Sequence, residues 1–153
     1  MARRSERGLA RSTVDAMTTA IGFMRHVMRL PLPWPLWVAV LFLTNMGAVL
    51  FLPRLEAWVV LGALGLGAGL QMALFARAGF VRLLGLGHVH WLVMVTWLLA
   101  RLGTIGEPAL YAWVLAVIVV CSLSLAIDAA DVVRYLRGSR APTVVLEGSP
   151  RSL

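Results

Sequence analysis

The sequence predicts an all-α integral membrane protein: an antiparallel four-helix transmembrane bundle with an N-terminal amphipathic helix and both termini in the cytoplasm. Three observations support this fold class. Of the 153 residues, 60% are apolar and only 14% are charged, whereas soluble domains average about 25% charged residues. The apolar residues form runs long enough to cross the roughly 30 Å hydrocarbon core of a bilayer. The basic residues, all of them arginine, flank these runs and favour one side.

The N-terminal region is predicted to contain an arm and one helix. Residues 1–11 (MARRSERGLAR) are basic and have no apolar periodicity, which predicts a disordered arm. Residues 12–30 carry an apolar stripe with spacings of three and four, which predicts an amphipathic helix: Val14, Met17, Ile21, Met24 and Met28. Such a helix either lies in the membrane interface with its arginines at anionic head groups, or forms a short cytoplasmic helix packed against the bundle.

Four apolar segments predict the transmembrane helices. The membrane domain is expected to occupy 31–137, with spans at 34–52, 57–76, 83–102 and 109–129. Because the connections between them are short, consecutive spans must lie antiparallel to one another. The last residues, 138–153, are rich in Ser, Pro and Gly and predict a flexible tail.

The arginines predict the orientation of these spans. With the N-terminus in the cytoplasm, twelve of the 14 arginines lie on the cytoplasmic side, and only Arg54 and Arg101 lie on the other. Short cytoplasmic loops of membrane proteins are enriched in positive charge, so both termini are predicted to be cytoplasmic. The absence of lysine is typical of a GC-rich genome. The expected location is therefore the plasma membrane (inner membrane) of a bacterium.

Small residues on the second span predict close helix packing. Gly62, Gly65, Gly69 and Ala73 lie near one helical face, and small side chains let the backbones of membrane helices approach closely. Packing within the chain is the favoured interpretation, and packing against a second copy is the alternative. Asn45, near the middle of the first span, is expected to hydrogen-bond to a neighbouring helix.

Five polar residues form a predicted site at the cytoplasmic end of the bundle. Polar residues inside a membrane are costly and often functional. Gln71 and His88 are expected about 7–8 Å from the inner boundary, and Ser124, Asp128 and Asp131 share one face of the fourth span. One hypothesis pairs His88 with Asp128, each compensating the charge of the other. The alternative is favoured because Asp128 lies so close to the predicted boundary: both aspartates reach interfacial water, and His88 bonds to a backbone carbonyl.

The sequence contains no motif that indicates catalysis, a metal or a cofactor. His88 and His90 face nearly opposite sides of a regular helix, so the two are not expected to hold one metal ion. Nucleic acid is not an expected partner, because the arginines flank apolar segments. The expected function is a non-enzymatic accessory subunit or scaffold. Its expected partners are the lipid bilayer, anionic lipids at the N-terminal arginines, and a second copy or another membrane protein. A small oligomeric transporter that uses the His/Asp cluster is the alternative, and a membrane-embedded lipid-modifying enzyme is a second one.

Overall fold

The computed structural model describes residues 17–25, 27–78 and 82–138, without the side chains of 78 and 82–84. The arm predicted at 1–11 and the tail beyond residue 138 lie outside these residues. All regular secondary structure in the described part of the chain is helical. Helix α1 is helical at 17–25 and again at 27–28, and four further α-helices follow it: α2 (Trp34–Met46), α3 (Leu55–Ala78), α4 (Trp91–Leu102) and α5 (Pro108–Leu136).

Three apolar helical segments are long enough to cross a membrane. They are Trp34–Phe51 with 18 residues, Leu55–Arg77 with 23 and Pro108–Leu136 with 29. The first comprises α2 and a 3₁₀ helix, Gly47–Phe51, that continues it. Proline lies in the first turn of both α2 and α5, where its missing N–H leaves no helical hydrogen bond unmade. The chain therefore has the helices of a membrane protein.

The segment predicted as a continuous third span, 83–102, is divided in the structure. It begins as a second 3₁₀ helix, Arg82–His88, passes through a turn at 89–90, and continues as α4. Gly85 and Gly87 lie in the 3₁₀ part, and glycine disfavours the α-helix by about 1 kcal/mol relative to alanine. Both glycines pack closely on neighbouring helices, since a Cβ atom at either would lie within 2.8 Å of a side-chain atom of α3 or α5.

The core of the bundle is built around α5. It packs against the 3₁₀ helix Arg82–His88, α4 and α2. The largest fully buried side chains, each less than 2% exposed, are Trp91, Leu98, Val60, Val114, Val117, Asn45 and Cys121.

The two ends of the bundle differ in charge. Exposed arginines, Arg77 and Arg134 among them, lie at one end, which we call the basic end. At the opposite end two ion pairs connect the short loops. Arg54 contacts Glu107 at 2.7 Å, and Arg101 contacts Glu56 at 2.8 Å.

Helix α1 is held at the basic end by contacts with Phe75 of α3. The rings of Phe23 and Phe75 meet edge to face with their centroids 5.7 Å apart. A Cβ atom at Gly22 would lie 3.5 Å from the ring of Phe75. The apolar stripe of α1 is instead exposed, as Met17, Ile21, Met24 and Met28 all show. Helix α1 thus contacts the bundle with a face other than the predicted apolar stripe.

Candidate functional site

Three of the five predicted site residues form a hydrogen-bonded chain. His88 Nδ1 lies 2.7 Å from Asp128 Oδ2, and His88 Nε2 lies 3.0 Å from the side-chain nitrogen of Gln71. The side chains of His88 and Asp128 are only 12% and 21% exposed. This geometry is that of the paired alternative, in which the histidine and the carboxylate bond to each other rather than to water and backbone.

Two glycines leave the space in which these three side chains can form hydrogen bonds, and sequence reasoning missed both. A Cβ atom at Gly85 would lie 2.8 Å from Cβ of Asp128, and one at Gly87 would lie 2.5 Å from Cγ of Gln71. Any larger residue would push the 3₁₀ helix away from α5 or α3. Because a 3₁₀ helix has three residues per turn, Gly85 and His88 face the same neighbour, α5. The two glycines beside a histidine in the run LLGLGH were the signal available in the sequence.

The bonding pattern of His88 admits two proton arrangements. When Gln71 donates its N–H to Nε2, the ring is neutral and its Nδ1–H donates to the Asp128 carboxylate. A half-turn of the Gln71 carboxamide would present its oxygen instead, which accepts a hydrogen bond from Nε2–H of a protonated ring. The distances are compatible with either direction of the hydrogen bond between Gln71 and His88.

The remaining two predicted site residues lie on α5, one turn on either side of Asp128. Ser124 is buried one turn before Asp128, and Asp131 lies about one turn after it, with Oδ1 3.7 Å from Nη1 of Arg134. Helix α5 continues to Leu136, seven residues beyond the predicted end of the span at 129. Asp128 consequently lies about 12 Å from the end of the helix, at 1.5 Å per residue.

A second polar contact joins α3 and the start of α4. His90 Nε2 lies 2.7 Å from the carbonyl oxygen of Ala63, and Trp91 Nε1–H donates to the same oxygen at 3.2 Å. Gly67 makes this approach feasible, since a Cβ atom there would lie 3.3 Å from the His90 ring. His90 and His88 thus bond to different groups, and His90 Nδ1 is buried with no hydrogen-bond partner.

The small residues predicted for helix packing lie on the exposed side of α3. A Cβ atom at Gly62, Gly65 or Gly69 would meet no atom within 4 Å, and Ala73 is exposed as well. The structure therefore differs from the favoured expectation that this face packs within the chain. The glycine of α3 that does contact other parts of the bundle is Gly67, which is buried on another face.

Asn45 lies in the middle of the bundle, fully buried. Its amide donates to the carbonyl of Leu41, one turn earlier in the same helix, at 2.8 Å, and its nitrogen lies 3.6 Å from Sγ of Cys121 in α5. The strong hydrogen bond is thus within α2, and the contact with the neighbouring helix is made through sulfur.

The opposite end holds a polar cavity of about 250 Å³ between the two loops, lined in part by the Arg54, Glu56, Arg101 and Glu107 side chains. Neither end offers a metal site built from three or more His, Cys, Asp or Glu residues within the described part of the chain.

Comparison with known proteins gives no match: no family model, no curated protein and no solved structure is similar to this chain. The class that the structure defines is therefore a helical membrane protein with three apolar helices of spanning length.

Proposed function

We propose that this chain is a small, non-enzymatic membrane protein that acts as an accessory subunit or scaffold in the cytoplasmic membrane of a bacterium. One observation carries the proposal. The middle of the bundle is filled by Trp91, Val117 and Cys121, which are at most 1% exposed, and by the internally bonded Asn45. A carrier needs a wet path at this level, and a scaffold needs none.

The divided segment is proposed to be the fourth span. Its α4 part has 12 residues and is about 18 Å long at 1.5 Å per residue. The 3₁₀ helix has 7 residues and adds about 14 Å at 2.0 Å per residue. Together the two parts match the roughly 30 Å of a bilayer core. Its two termini then lie on opposite sides of the membrane, as the antiparallel arrangement requires.

The proposed orientation places the basic end and both termini in the cytoplasm, because positive charge is retained on that side. Fusions test it directly. A fluorescent protein that matures only in the cytoplasm should fluoresce when fused to the C-terminus, and alkaline phosphatase fused there should be inactive. Alkaline phosphatase fused after Gly106 should be active. The opposite pattern would refute the orientation, and recovery of the chain without detergent in the aqueous fraction would refute membrane insertion.

The open face of α3 is the proposed contact for a partner, either a second copy or another membrane protein. Gly62, Gly65 and Gly69 leave a shallow surface that another helix can approach closely. Purification in mild detergent, with the molar mass of the complex measured by light scattering, should give a complex larger than the single chain. Gly65→Leu should reduce it to one chain. A monomer that carries no other protein in both samples would contradict the proposal.

One observation favours a second candidate, a small oligomeric transporter. The imidazole of His88 lies 2.7 Å from the carboxylate of Asp128, beside the break in the proposed fourth span, and transporters commonly bind ions at breaks in membrane helices. In proteoliposomes with an internal pH indicator, the wild type should then move protons and Asp128→Asn should not. Equal proton flux in the wild type, Asp128→Asn and empty vesicles would rule this candidate out.

A further inference from the structure

The apolar stripe of α1 is exposed, and the helix lies near the ends of two spanning segments. Phe23 contacts Phe75, two residues before the end of the spanning segment at Arg77. The C-terminal end of α1 is connected through 30–33 to Trp34, the first residue of the next spanning segment. Helix α1 is thus connected to two spanning segments, through Phe23 in its middle and through the chain at its C-terminal end.

The surface of α1 is divided by chemistry. Met24 and Met28 are 53% and 68% exposed, while Gly22 and Phe23 face the bundle. Each residue advances about 100° around an α-helix, so Arg25 lies at one edge of the stripe. Arg29 lies in the turn directly after the helix, and both arginines are exposed. An apolar face bordered by arginines is the pattern of helices that lie in the membrane interface.

From these contacts we propose that α1 inserts its Met17–Ile21–Met24–Met28 stripe among the acyl chains of the cytoplasmic leaflet, while Arg25 and Arg29 bind the phosphate groups of anionic phospholipids. This deepens the proposed function and rests on its membrane location and orientation. In this proposal one face of α1 packs on α3, as the Phe23–Phe75 contact shows, while another face lies in the lipid. Charge complementarity selects the lipid: guanidinium groups at the rim of an apolar stripe match a leaflet whose surface is negative.

Spin labels placed on the full-length chain test the proposal in vesicles of phosphatidylcholine, with and without phosphatidylglycerol. Cys121 is fully buried, so the wild-type chain is the blank for labelling. Single cysteines replace Met24 or Met28 on the stripe, Arg25 at its edge or Arg29 in the turn after the helix. The measured quantity is the ratio of label accessibility to oxygen, which enriches in lipid, over that to a water-soluble nickel chelate.

The expected ratio is severalfold higher at Met24→Cys and Met28→Cys than at Arg25→Cys and Arg29→Cys. Phosphatidylglycerol should raise it further at Met24→Cys, and the added changes Arg25→Gln and Arg29→Gln should abolish that increase. High chelate accessibility on the stripe would overturn the proposal. So would low accessibility to both reagents, which indicates cover by protein, or an unchanged ratio when the anionic lipid is added.

A control on α5 keeps this test separate from the membrane proposal itself. Val119 is 50% exposed within the spanning segment Pro108–Leu136 and lies outside the proposed partner face of α3, so a label at Val119→Cys should be accessible to oxygen and not to the chelate. If that control fails, the proposed membrane insertion is wrong. If it succeeds while the stripe is in water, the proposed insertion stands and only the inference about α1 is overturned.

Discussion

The bond between His88 and Asp128 should appear as a measurable coupling energy. The perturbation is a double-mutant cycle of His88→Leu, Asp128→Leu and both together, followed by unfolding in mixtures of mild and denaturing detergent. The two atoms are 2.7 Å apart and the side chains are 12% and 21% exposed. Hydrogen bonds to charged groups contribute about 1.5–3 kcal/mol in water-soluble proteins, whereas those between membrane helices average about 0.6 kcal/mol and reach about 1.7 kcal/mol.

The membrane value is the appropriate starting point, because the unfolded helices in detergent also find hydrogen-bond partners. A short bond to a carboxylate belongs near the top of that range, so we expect a coupling energy of about 1.5 kcal/mol, roughly tenfold in the unfolding equilibrium. Asp128→Asn separates charge from hydrogen bonding: combined with His88→Leu it should retain only part of that coupling.

A matched control is the neighbouring pair Asp131–Arg134 on the surface of α5. Its charged atoms are 3.7 Å apart and its side chains are 35% and 66% exposed, so the same cycle should give no more than about 0.5 kcal/mol. Additive effects of His88→Leu and Asp128→Leu, within about 0.3 kcal/mol, would refute the reasoning. Each change would then act on its own, and the contact would contribute nothing to stability.

Two further predictions concern glycine and arginine. Gly67→Leu should lower the unfolding free energy of the bundle by about 1–3 kcal/mol, because the new side chain enters a space that is already filled. Gly65→Leu, on the open face, should change the unfolding free energy by less than about 1 kcal/mol. Equal losses for the two variants in detergent unfolding would contradict the described packing. Arg101→Gln should cost about 2 kcal/mol because it leaves Glu56, whose side chain is 5% exposed, without its charged partner. Arg54→Gln should lower the unfolding free energy by less than about 1 kcal/mol, because exposed ion pairs contribute little to stability. A larger loss for Arg54→Gln than for Arg101→Gln would contradict the expected order of the two ion pairs.

Much of the architecture follows from the sequence, because the requirement to bury apolar runs in lipid is strong and local. Composition and run length predict a helical membrane protein, and three of the four proposed spans have helices that begin within two residues of the expected positions. Comparing the depths of polar residues also placed Gln71, His88 and Asp128 in one layer, where the structure brings them together.

The features that sequence reasoning missed depend on partner helices. Whether the run around Gly85 and Gly87 forms an α-helix or a 3₁₀ helix is decided by what lies against it, and the glycines contact residues 16 and 43 positions away. The rotation of α3 about its axis likewise decides that Gly67 is buried and Gly65 is exposed. A single sequence does not fix that rotation where nearly every residue of the helix is apolar or small.

The two ion pairs at the opposite end also bear on how the protein is made. In the proposed orientation Arg54 and Arg101 are the arginines that must be carried across the bilayer during insertion, against the retention of positive charge. Each has a glutamate within 2.8 Å in the finished fold, and those glutamates belong to the same two hairpin ends. Each hairpin loop that crosses the bilayer therefore carries one arginine and one glutamate and has no net charge. Because a neutral loop does no net work against the membrane potential, the potential does not oppose its translocation.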